Sequence, residues 1–247
     1  MPDAPSRVVV VADAHLGQVP AATREAFHAF LDAVPALGDA LLINGDLFDF
    51  WCEYGAVIPR KHFSTIARLE ALRGRGVPIT FIGGNHDRWG GDFFTRDLGI
   101  AYHPNEAELD LAGRRAWVIH GDGLTEQHWS AALLHHVLRH RWTVSAFRAL
   151  HPAMGFWLAD RLSGVLADST KDQAVLDRAQ QAQARYARGV LEQRPELQLV
   201  LMAHTHRPAL EVVAPGRVYC NPGAWLDGFR YAIVTELVVE LLRFPGA

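Results

Sequence analysis

Residues 8–17 read VVVVADAHLG, and this stretch indicates both the fold class and a candidate chemistry. Its four consecutive valines predict a buried β-strand, because a strand covered on both faces reads as a continuous apolar run. The strand pattern ends at Asp13 and His15, a carboxylate and an imidazole two residues apart. Side chains at this spacing point the same way in extended chain. The pair therefore predicts either an ordinary polar turn or half of a metal site.

The composition is that of an ordinary globular protein, with 247 residues, 49% of them hydrophobic and 21% charged. That length fits one large α/β domain or two small ones. The net charge of −3 argues against a nucleic-acid partner, which usually requires a basic surface. The two cysteines, Cys52 and Cys220, form no C-x-x-C pattern, so we expect neither a disulfide framework nor a cysteine zinc site. We find no signal-peptide pattern and no apolar run of membrane-spanning length, and therefore expect a cytoplasmic protein.

Strand and helix patterns alternate along the first half of the chain. Two helical patterns, Ala21–Val34 and Arg60–Arg73, separate short β-rich runs, and this β-α-β-α-β order predicts an α/β fold. The last third is rich in strand patterns with short connections, so we expect antiparallel strands there. The predicted strands are Arg7–Ala12, Ala40–Asn44, Pro78–Ile82, Arg115–His120, Leu197–Ala203, Leu210–Val213, Val218–Asn221, Ala232–Leu237 and Val239–Phe244.

Residues 124–195 break this rhythm, because they contain no strand pattern. We therefore predict a core of residues 1–123 and 196–247 with a helical insertion at 124–195. The insertion holds three of the seven tryptophans, several arginines and a long helical pattern over residues 171–193. It fits two interpretations. Its aromatic side chains either pack in a local core, or they form a cap whose apolar, basic-rimmed surface binds a lipid-like or aromatic ligand.

Four more strand patterns end as the first one does, in a turn that carries metal-binding side chains. Glycines beside these side chains allow the backbone to turn sharply. Because sites in open α/β sheets gather beyond the carboxyl ends of the strands, we expect the side chains to converge. Every donor is nitrogen or oxygen. The candidate ligands are Asp13, His15, Asp46, Asn85, His120, His204 and His206.

These motifs resemble those of the calcineurin-like metallophosphoesterases. The family pattern of D-x-H, G-D-x-x-D, G-N-H-D, H-G and G-H-x-H is matched in order, with Ala203 in place of one glycine. The resemblance implies a four-layer αββα sandwich that holds two divalent cations, with Mn²⁺ expected and Fe or Zn²⁺ as alternatives. It implies that one cation is held by Asp13, His15 and His206, the other by Asn85, His120 and His204, and that Asp46 bridges both.

The same resemblance implies the chemistry. Two cations a few ångströms apart clamp a phosphoryl group and lower the pKa of the water between them, so we predict a hydrolase of phosphoric ester or pyrophosphate bonds. His86 is implied to be an acid or hydrogen-bond donor at the leaving oxygen rather than a ligand, oriented by Asp49. For Asp87 we expect a role in local structure.

Within the family, the chain looks like the branch that hydrolyses UDP-2,3-diacylglucosamine, a nucleotide-linked glycolipid of lipid A synthesis. The shared features are the compact size, H-G-D-x-L at 120–124, the tryptophan- and arginine-rich insertion and CNPGAW at 220–225. In that branch the insertion receives acyl chains. Asp122 and Lys171 match substrate-binding positions, and Arg88 is a further candidate. That branch typically carries arginine where this chain has His86.

Three functions stay open on the sequence alone. The leading hypothesis is a glycolipid pyrophosphatase that visits the membrane surface through its insertion. The second is an enzyme for a soluble nucleotide, phosphodiester or phosphomonoester, which His86 favours. The third is a non-catalytic protein-binding scaffold, which the complete set of ligand histidines disfavours. The sequence does not determine the oligomeric state.

Overall fold

The computed structural model describes residues 5–124, 141–166 and 173–246 of the chain. The strands within these residues form two β-sheets. In chain order they are β1 (Arg7–Val11), β2 (Ala40–Asn44), β3 (Ile79–Ile82), β4 (Ala101–His103), β5 (Glu106–Leu111), β6 (Arg114–Ile119), β7 (Leu199–Leu201), β8 (Ala209–Ala214), β9 (Arg217–Asn221), β10 (Arg230–Thr235) and β11 (Val239–Arg243). The first sheet has the order β11-β10-β1-β2-β3-β4, and the second the order β5-β6-β7-β9-β8.

The valine-rich strand β1 lies inside the first sheet. It pairs in parallel with β2, where Val8 faces Ala40, and antiparallel with β10, where Val8 faces Val234. β3 and β4 continue the parallel half, whereas β10 and β11 run antiparallel. The predicted α/β class and the antiparallel strands near the C-terminus are therefore confirmed.

The α-helices of the described residues cover the outer faces of the sheets and build the insertion. They are α1 (Ala21–Leu37), α2 (Phe63–Gly74), α3 (Phe93–Arg96), α4 (Arg141–Arg148), α5 (Pro152–Leu166) and α6 (Gln173–Gln193). A short 3-10 turn, Arg60–His62, precedes α2 and accounts for the start of the predicted helix at Arg60. None of the described helices is long and apolar enough to cross a bilayer.

Three hydrophobic cores separate four layers. Side chains of β1 alternate between two of them, because successive residues of a strand point to opposite faces. Val9 and Val11 pack with α1 and α2, while Val8 and Val10 pack against the second sheet. The third core buries Ala187 of α6 against the outer face of the second sheet. This is the predicted αββα sandwich.

Two strands, β4 and β5, were not predicted from the sequence. β4 has only three residues, which is too short for a periodic pattern. β5 reads EAELDL and alternates in burial, but glutamate, alanine and aspartate are poor strand formers. The antiparallel ladder with β6, from Glu106 opposite Ile119 to Leu111 opposite Arg114, stabilises β5 as a strand.

The proposed insertion at 124–195 contacts the sandwich in two ways. The ring of Phe50, in the loop after β2, lies 5.5 Å from Phe147 of α4 and 5.6 Å from Phe156 of α5. Helix α6 instead forms the fourth layer of the sandwich, since its apolar face requires the second sheet to cover it. The proposed insertion and the sandwich therefore share α6. Lys171, predicted to contact substrate, lies outside the described residues.

Candidate metal centre

The candidate ligands follow five strands that end at one edge of the sandwich. Asp13, Asp46 and Asn85 come two or three residues after β1, β2 and β3 of the first sheet, and His120 and His204 follow β6 and β7 of the second. Both sheets contribute because their parallel strands end beside each other. Contacts between the two sets are direct: His120 Nε2 lies 3.2 Å from Asp46 Oδ2 and 3.8 Å from Asp13 Oδ1.

Three overlapping groups of side chains have the spacing required to hold a metal ion. Within each group, the potential ligand atoms lie within 4.8 Å of one another. The groups are Asp13 with His15 and His206, Asp46 with His120 and His204, and His15 with Asp46 and His86. Asp46 belongs to two groups. A carboxylate in that position can offer one oxygen to each of two cations, which an imidazole cannot do.

Asp13 and His15 meet for a reason different from the one predicted. The strand stops at Val11, and both residues adopt the left-handed backbone conformation, with φ of 51° and 44°. The expectation that strand alternation aligns them was therefore wrong, although the residues do converge. Backbone hydrogen bonds from His15 N to Asp46 O (2.9 Å) and from Asp13 N to Gly45 O (3.1 Å) hold the unusual turn.

Several candidate ligand atoms are buried with no hydrogen-bond partner. They are Asp13 Oδ1, His15 Nε2, Asn85 Oδ1 and His120 Nε2. Buried polar atoms are nearly always satisfied, so a group of unsatisfied atoms at one place requires an explanation. A divalent cation explains it, because it accepts lone pairs from imidazole, carboxylate and amide oxygen together. The residues present thus fit the metals that the sequence predicts.

Hydrogen bonds on the far side of the rings orient the histidines. His120 Nδ1 lies 2.9 Å from the carbonyl oxygen of Asn44, which can only accept, so Nδ1 carries a proton and Nε2 is the nitrogen that can bind a cation once it has lost its own proton. The Nδ1 atom of His206 faces a carboxylate oxygen of Asp227 at 3.3 Å. Such partners fix both the tautomer and the ring orientation of a metal-binding histidine. The sequence analysis did not identify Asp227, whose contact spans 21 residues of chain.

Burial and charge set the protonation of the centre. Burial lowers the pKa of His15 and of His204 to about 3, which keeps both imidazoles neutral and able to bind a cation. Burial also lowers the pKa of His120, but the carboxylates of Asp46 and Asp13 outweigh this effect and raise the pKa to about 10. Without a metal, a protonated His120 therefore offsets part of the negative charge of these carboxylates.

Two glycines allow the loops to approach each other closely. A Cβ atom at Gly45 would lie 2.1 Å from His120 Nδ1, and one at Gly84 would lie 2.2 Å from Asp46 Oδ1. No side chain fits at either position without displacing a candidate ligand. The predicted role of glycines beside the ligands is confirmed at these two positions.

His86 is held by Asp49, but through the main chain. His86 Nδ1 lies 2.6 Å from the carbonyl oxygen of Asp49. The carboxylate of Asp49 instead accepts a hydrogen bond from Lys61 at 2.5 Å and lies 3.3 Å from His62 Nε2. Asp49 therefore contacts His86 as the sequence analysis expects, but through its main-chain carbonyl oxygen and not through its carboxylate. Placed with His15 and Asp46, His86 also has the spacing of a metal ligand, which the sequence analysis did not expect.

Asp87 has the structural role that the sequence predicts. It is fully buried, and its carboxylate accepts backbone hydrogen bonds from Asp46, Leu47, Phe48 and Gly84 at 2.7–3.3 Å. These bonds tie the loop after β2 to the loop after β3. They fix the backbone around Asp46.

The two described substrate-binding candidates contact each other. Arg88 Nη2 donates to Asp122 Oδ2, and both side chains are buried, at 7% and 3% exposed. Asp122 lies two residues after His120 and close enough for its charge to act on His120 and His204. The pair therefore borders the candidate ligands.

A buried glutamine that the sequence analysis missed supports the His204–His206 loop. Gln183 Oε1 accepts hydrogen bonds from Tyr219 (2.9 Å) and Asn221 (3.0 Å), and Gln183 Nε2 donates to the carbonyl oxygen of Ala203 at 2.9 Å. Gln183 belongs to α6 and Ala203 precedes His204. Helix α6 is thus hydrogen-bonded to the start of the ligand loop.

A two-sheet sandwich enzyme with a metal centre is the class that this fold and donor set define. Residues 6–208 match the Calcineurin-like phosphoesterase family, so the chain belongs to this family. Together with its relatives, this match identifies the chain as a hydrolase of phosphate ester or pyrophosphate bonds. Membership implies divalent metal binding, and the histidine–aspartate groups provide for it.

The chain is also similar to individual proteins. The chain is 32% identical over 240 residues to proteins named UDP-2,3-diacylglucosamine hydrolase from Escherichia coli O6:H1 and O6:K15:H31, with 95% of this chain and 98% of each relative covered. The solved structure of Yfce, a phosphoesterase from E. coli, is 13% identical, with a TM-score of 0.47 over 96% of this chain and 93% of that chain.

Proposed function

We propose that the protein hydrolyses the pyrophosphate bond of UDP-2,3-diacylglucosamine or a closely similar nucleotide-linked glycolipid. The observation that carries this proposal is the presence of the full histidine–carboxylate set in a chain that is 32% identical, over 95% of its length, to hydrolases named for that substrate. Water cleaves the P–O–P bond, which yields UMP and a glycolipid 1-phosphate. The remaining features of the site support the chemistry that this reaction requires.

We propose the following ligand roles. Asp13, His15 and His206 hold one cation, Asn85, His120 and His204 hold the other, and Asp46 lies between them. The unsatisfied atoms of Asp13, His15, Asn85 and His120 support this assignment. Two bound cations, with Mn²⁺ as our choice, would supply electrostatic stabilisation of the phosphoryl group and a water of lowered pKa.

His86 acts on the leaving oxygen in this proposal. Its Nδ1 is engaged with the carbonyl oxygen of Asp49, which leaves Nε2 for the substrate. As the general acid, His86 would donate a proton from Nε2 to the oxygen that departs with the leaving group. Arg88 and Asp122, and Lys171 by its sequence position, contact the substrate.

The proposal is tested by incubating the purified protein with Mn²⁺ and UDP-2,3-diacylglucosamine and measuring UMP and glycolipid 1-phosphate. We expect both products in equal amounts, and no product from Asp46→Asn. If the glycolipid stays intact while simple phosphodiesters are cleaved, the substrate assignment is wrong. Protein that neither contains nor takes up a transition metal would point to a binding scaffold instead.

A soluble nucleotide or phosphomonoester is the second candidate substrate. His86 favours it, because the glycolipid branch typically carries arginine at this position. A panel of nucleotides, dinucleotides and phosphomonoesters at equal concentration distinguishes the two candidates by kcat/KM. We expect the glycolipid to have the highest value.

The insertion is proposed to reach the membrane surface. Trp142 on α4 and Met154 and Trp157 on α5 are large apolar side chains that are 58–68% exposed. Arg161 lies over the Trp157 ring at 5.2 Å, so a cation accompanies the apolar surface. An apolar surface with basic side chains suits an anionic bilayer.

Co-sedimentation with vesicles that contain anionic phospholipid tests this surface. We expect Trp157→Ser to reduce the bound fraction. Leu237→Ser removes an apolar side chain that is 85% exposed on the sandwich, and we expect it to bind as the wild type does. Equal loss in both variants would contradict a specific role of the insertion.

A further inference from the structure

A cavity of about 610 Å³ lies between the loop after β3, the end of β4 and helix α4. The side chains that form its polar part are Arg88, Asn105, Ser145 and Arg148, and the rings of Trp89 and Tyr102 form apolar walls. A volume of this size is typical of small-molecule sites, which combine apolar walls with a few placed polar groups. None of these residues belongs to the candidate ligand set.

Arg88 places a nearly buried positive charge in the wall of the cavity. Its side chain is 7% exposed, and one arm of the guanidinium is engaged with Asp122. The other arm, Nη1, is buried and has no hydrogen-bond partner among the described residues. A buried guanidinium N–H without an acceptor is rare, because it loses its hydration without compensation. An oxygen of a bound anion would satisfy it.

The cavity borders the metal centre. Arg88 lies two residues after His86, and its partner Asp122 lies two residues after His120. One buried ion pair therefore connects the cavity wall with both a candidate ligand and the candidate proton donor.

We propose that this cavity binds the nucleoside monophosphate half of the substrate, with Arg88 Nη1 on a phosphate oxygen. The proposal rests on the hydrolysis of a nucleotide-linked glycolipid proposed above. An acyl chain would leave Arg88 Nη1 unsatisfied and would place alkyl groups against Arg148 and Asn105. A nucleotide instead offers phosphate oxygens to the arginines, amide-like base edges to Asn105 and a flat ring to the aromatic walls.

Equilibrium dialysis with radiolabelled UMP tests the assignment without relying on turnover. Ser145→Trp fills the cavity from α4, and Arg148→Met removes its exposed cation. Ala146→Trp, at the neighbouring exposed position outside the cavity, and Arg185→Met, on α6, are the matched controls. We expect the dissociation constant for UMP to rise at least tenfold in the two cavity variants and to change less than twofold in the controls.

Two results would overturn the cavity assignment: no measurable binding of UMP by the wild type, or wild-type affinity in Ser145→Trp. Weakened binding of the glycolipid 1-phosphate in Ser145→Trp, with UMP affinity unchanged, would assign the cavity to the lipid half instead. Failure of the proposed function is recognised separately. A protein that binds UMP through this cavity but leaves UDP-2,3-diacylglucosamine intact refutes the glycolipid reaction and retains the nucleotide site.

Discussion

Left-handed backbone is the most unusual property of the ligand residues. Positive φ occurs at Asp13, His15, Asp46, His204 and His206. A residue other than glycine in this conformation costs on the order of 1–3 kcal/mol, so it persists only where the surroundings enforce it. Here the backbone hydrogen bonds between the loops, and the backbone N–H groups that donate to the Asp87 carboxylate, enforce it. The strain is stored where the side chains have to converge.

The contact between Asp227 and His206 gives a first prediction at this scale. Asp227→Asn keeps the shape of the side chain but removes the charge that orients the imidazole. We expect the affinity for Mn²⁺ to fall about tenfold, as is typical for the loss of such a partner. Isothermal titration of the metal-free protein measures this. Asp92→Asn, at an exposed aspartate paired with Arg96, is the control and should bind Mn²⁺ normally.

Gln183 gives a second prediction. Gln183→Leu would remove the acceptor of the Tyr219 hydroxyl and one of the donors to the carbonyl oxygen of Ala203, which would keep only its bond from Asn221 at 3.2 Å. We expect the free energy of unfolding to fall by about 2–4 kcal/mol, measured by urea denaturation, and Mn²⁺ to bind more weakly. Gln181→Leu, at an exposed position of the same helix, should have little effect on either quantity. Similar losses in both variants would mean that only helix propensity had changed.

At the scale of elements, the centre depends on how closely the strand ends approach. The loops after β1, β2 and β3 come from the first sheet, and those after β6 and β7 from the second. The strands beneath them are buried, so the loops have a rigid base. Gly45 and Gly84 are the points where one loop touches a side chain of another.

Gly45→Ala tests this close approach. The new Cβ would overlap His120 and force it away from the carbonyl oxygen of Asn44. We expect Mn²⁺ affinity to fall at least tenfold. Gly76→Ala is matched in backbone conformation, with φ of +87° against +83°, but its Cβ would meet nothing within 4 Å. The control should lose only about 1–2 kcal/mol of stability and keep its metal affinity. Loss of metal affinity in both would trace the effect to backbone strain.

At the scale of the whole molecule, the fold brings two carboxylates into a buried site. Asp13 and Asp46 are at most 2% exposed, and the raised pKa of His120 lets this ring offset part of their negative charge in the metal-free protein. A divalent cation at this place would take over that role. Its binding requires the lone pair of His120 and therefore the release of the proton.

Proton release on metal binding is thus a further prediction. Since the pKa of His120 is raised to about 10, the ring is protonated at neutral pH without metal, and Mn²⁺ binding should release about one proton from it. Metal affinity should accordingly rise with pH. Titrations in two buffers of different ionisation enthalpy measure the number of protons. Heats that do not depend on the buffer would contradict the predicted protonation of His120.

The sequence alone predicted nine of the eleven described strands and named the candidate ligands. Each ligand motif directly follows an apolar run, so both signals lie within about ten residues of chain. The valines of β1 and the D-x-H that follows them therefore predict a strand and a pair of ligands from the local sequence alone. The strands β4 and β5 could not be predicted in this way. β4 is too short to form a pattern, and β5 consists of poor strand formers that pairing with β6 stabilises.

Only the tertiary structure decided how the ligands are oriented. The groups that orient the ligands are distant in sequence or lie in another layer. Asn44 contacts His120, Asp227 contacts His206, and Gln183 contacts the carbonyl oxygen of Ala203. Whether a hydrogen bond forms depends on differences of a few tenths of an ångström in the distance between donor and acceptor, and no local sequence pattern encodes such differences. The same holds for the Asp49 carbonyl that holds His86 and for the buried Arg88 at the cavity. The local sequence specifies which side chains are present, whereas the orientation of these side chains is set when the two sheets pack together.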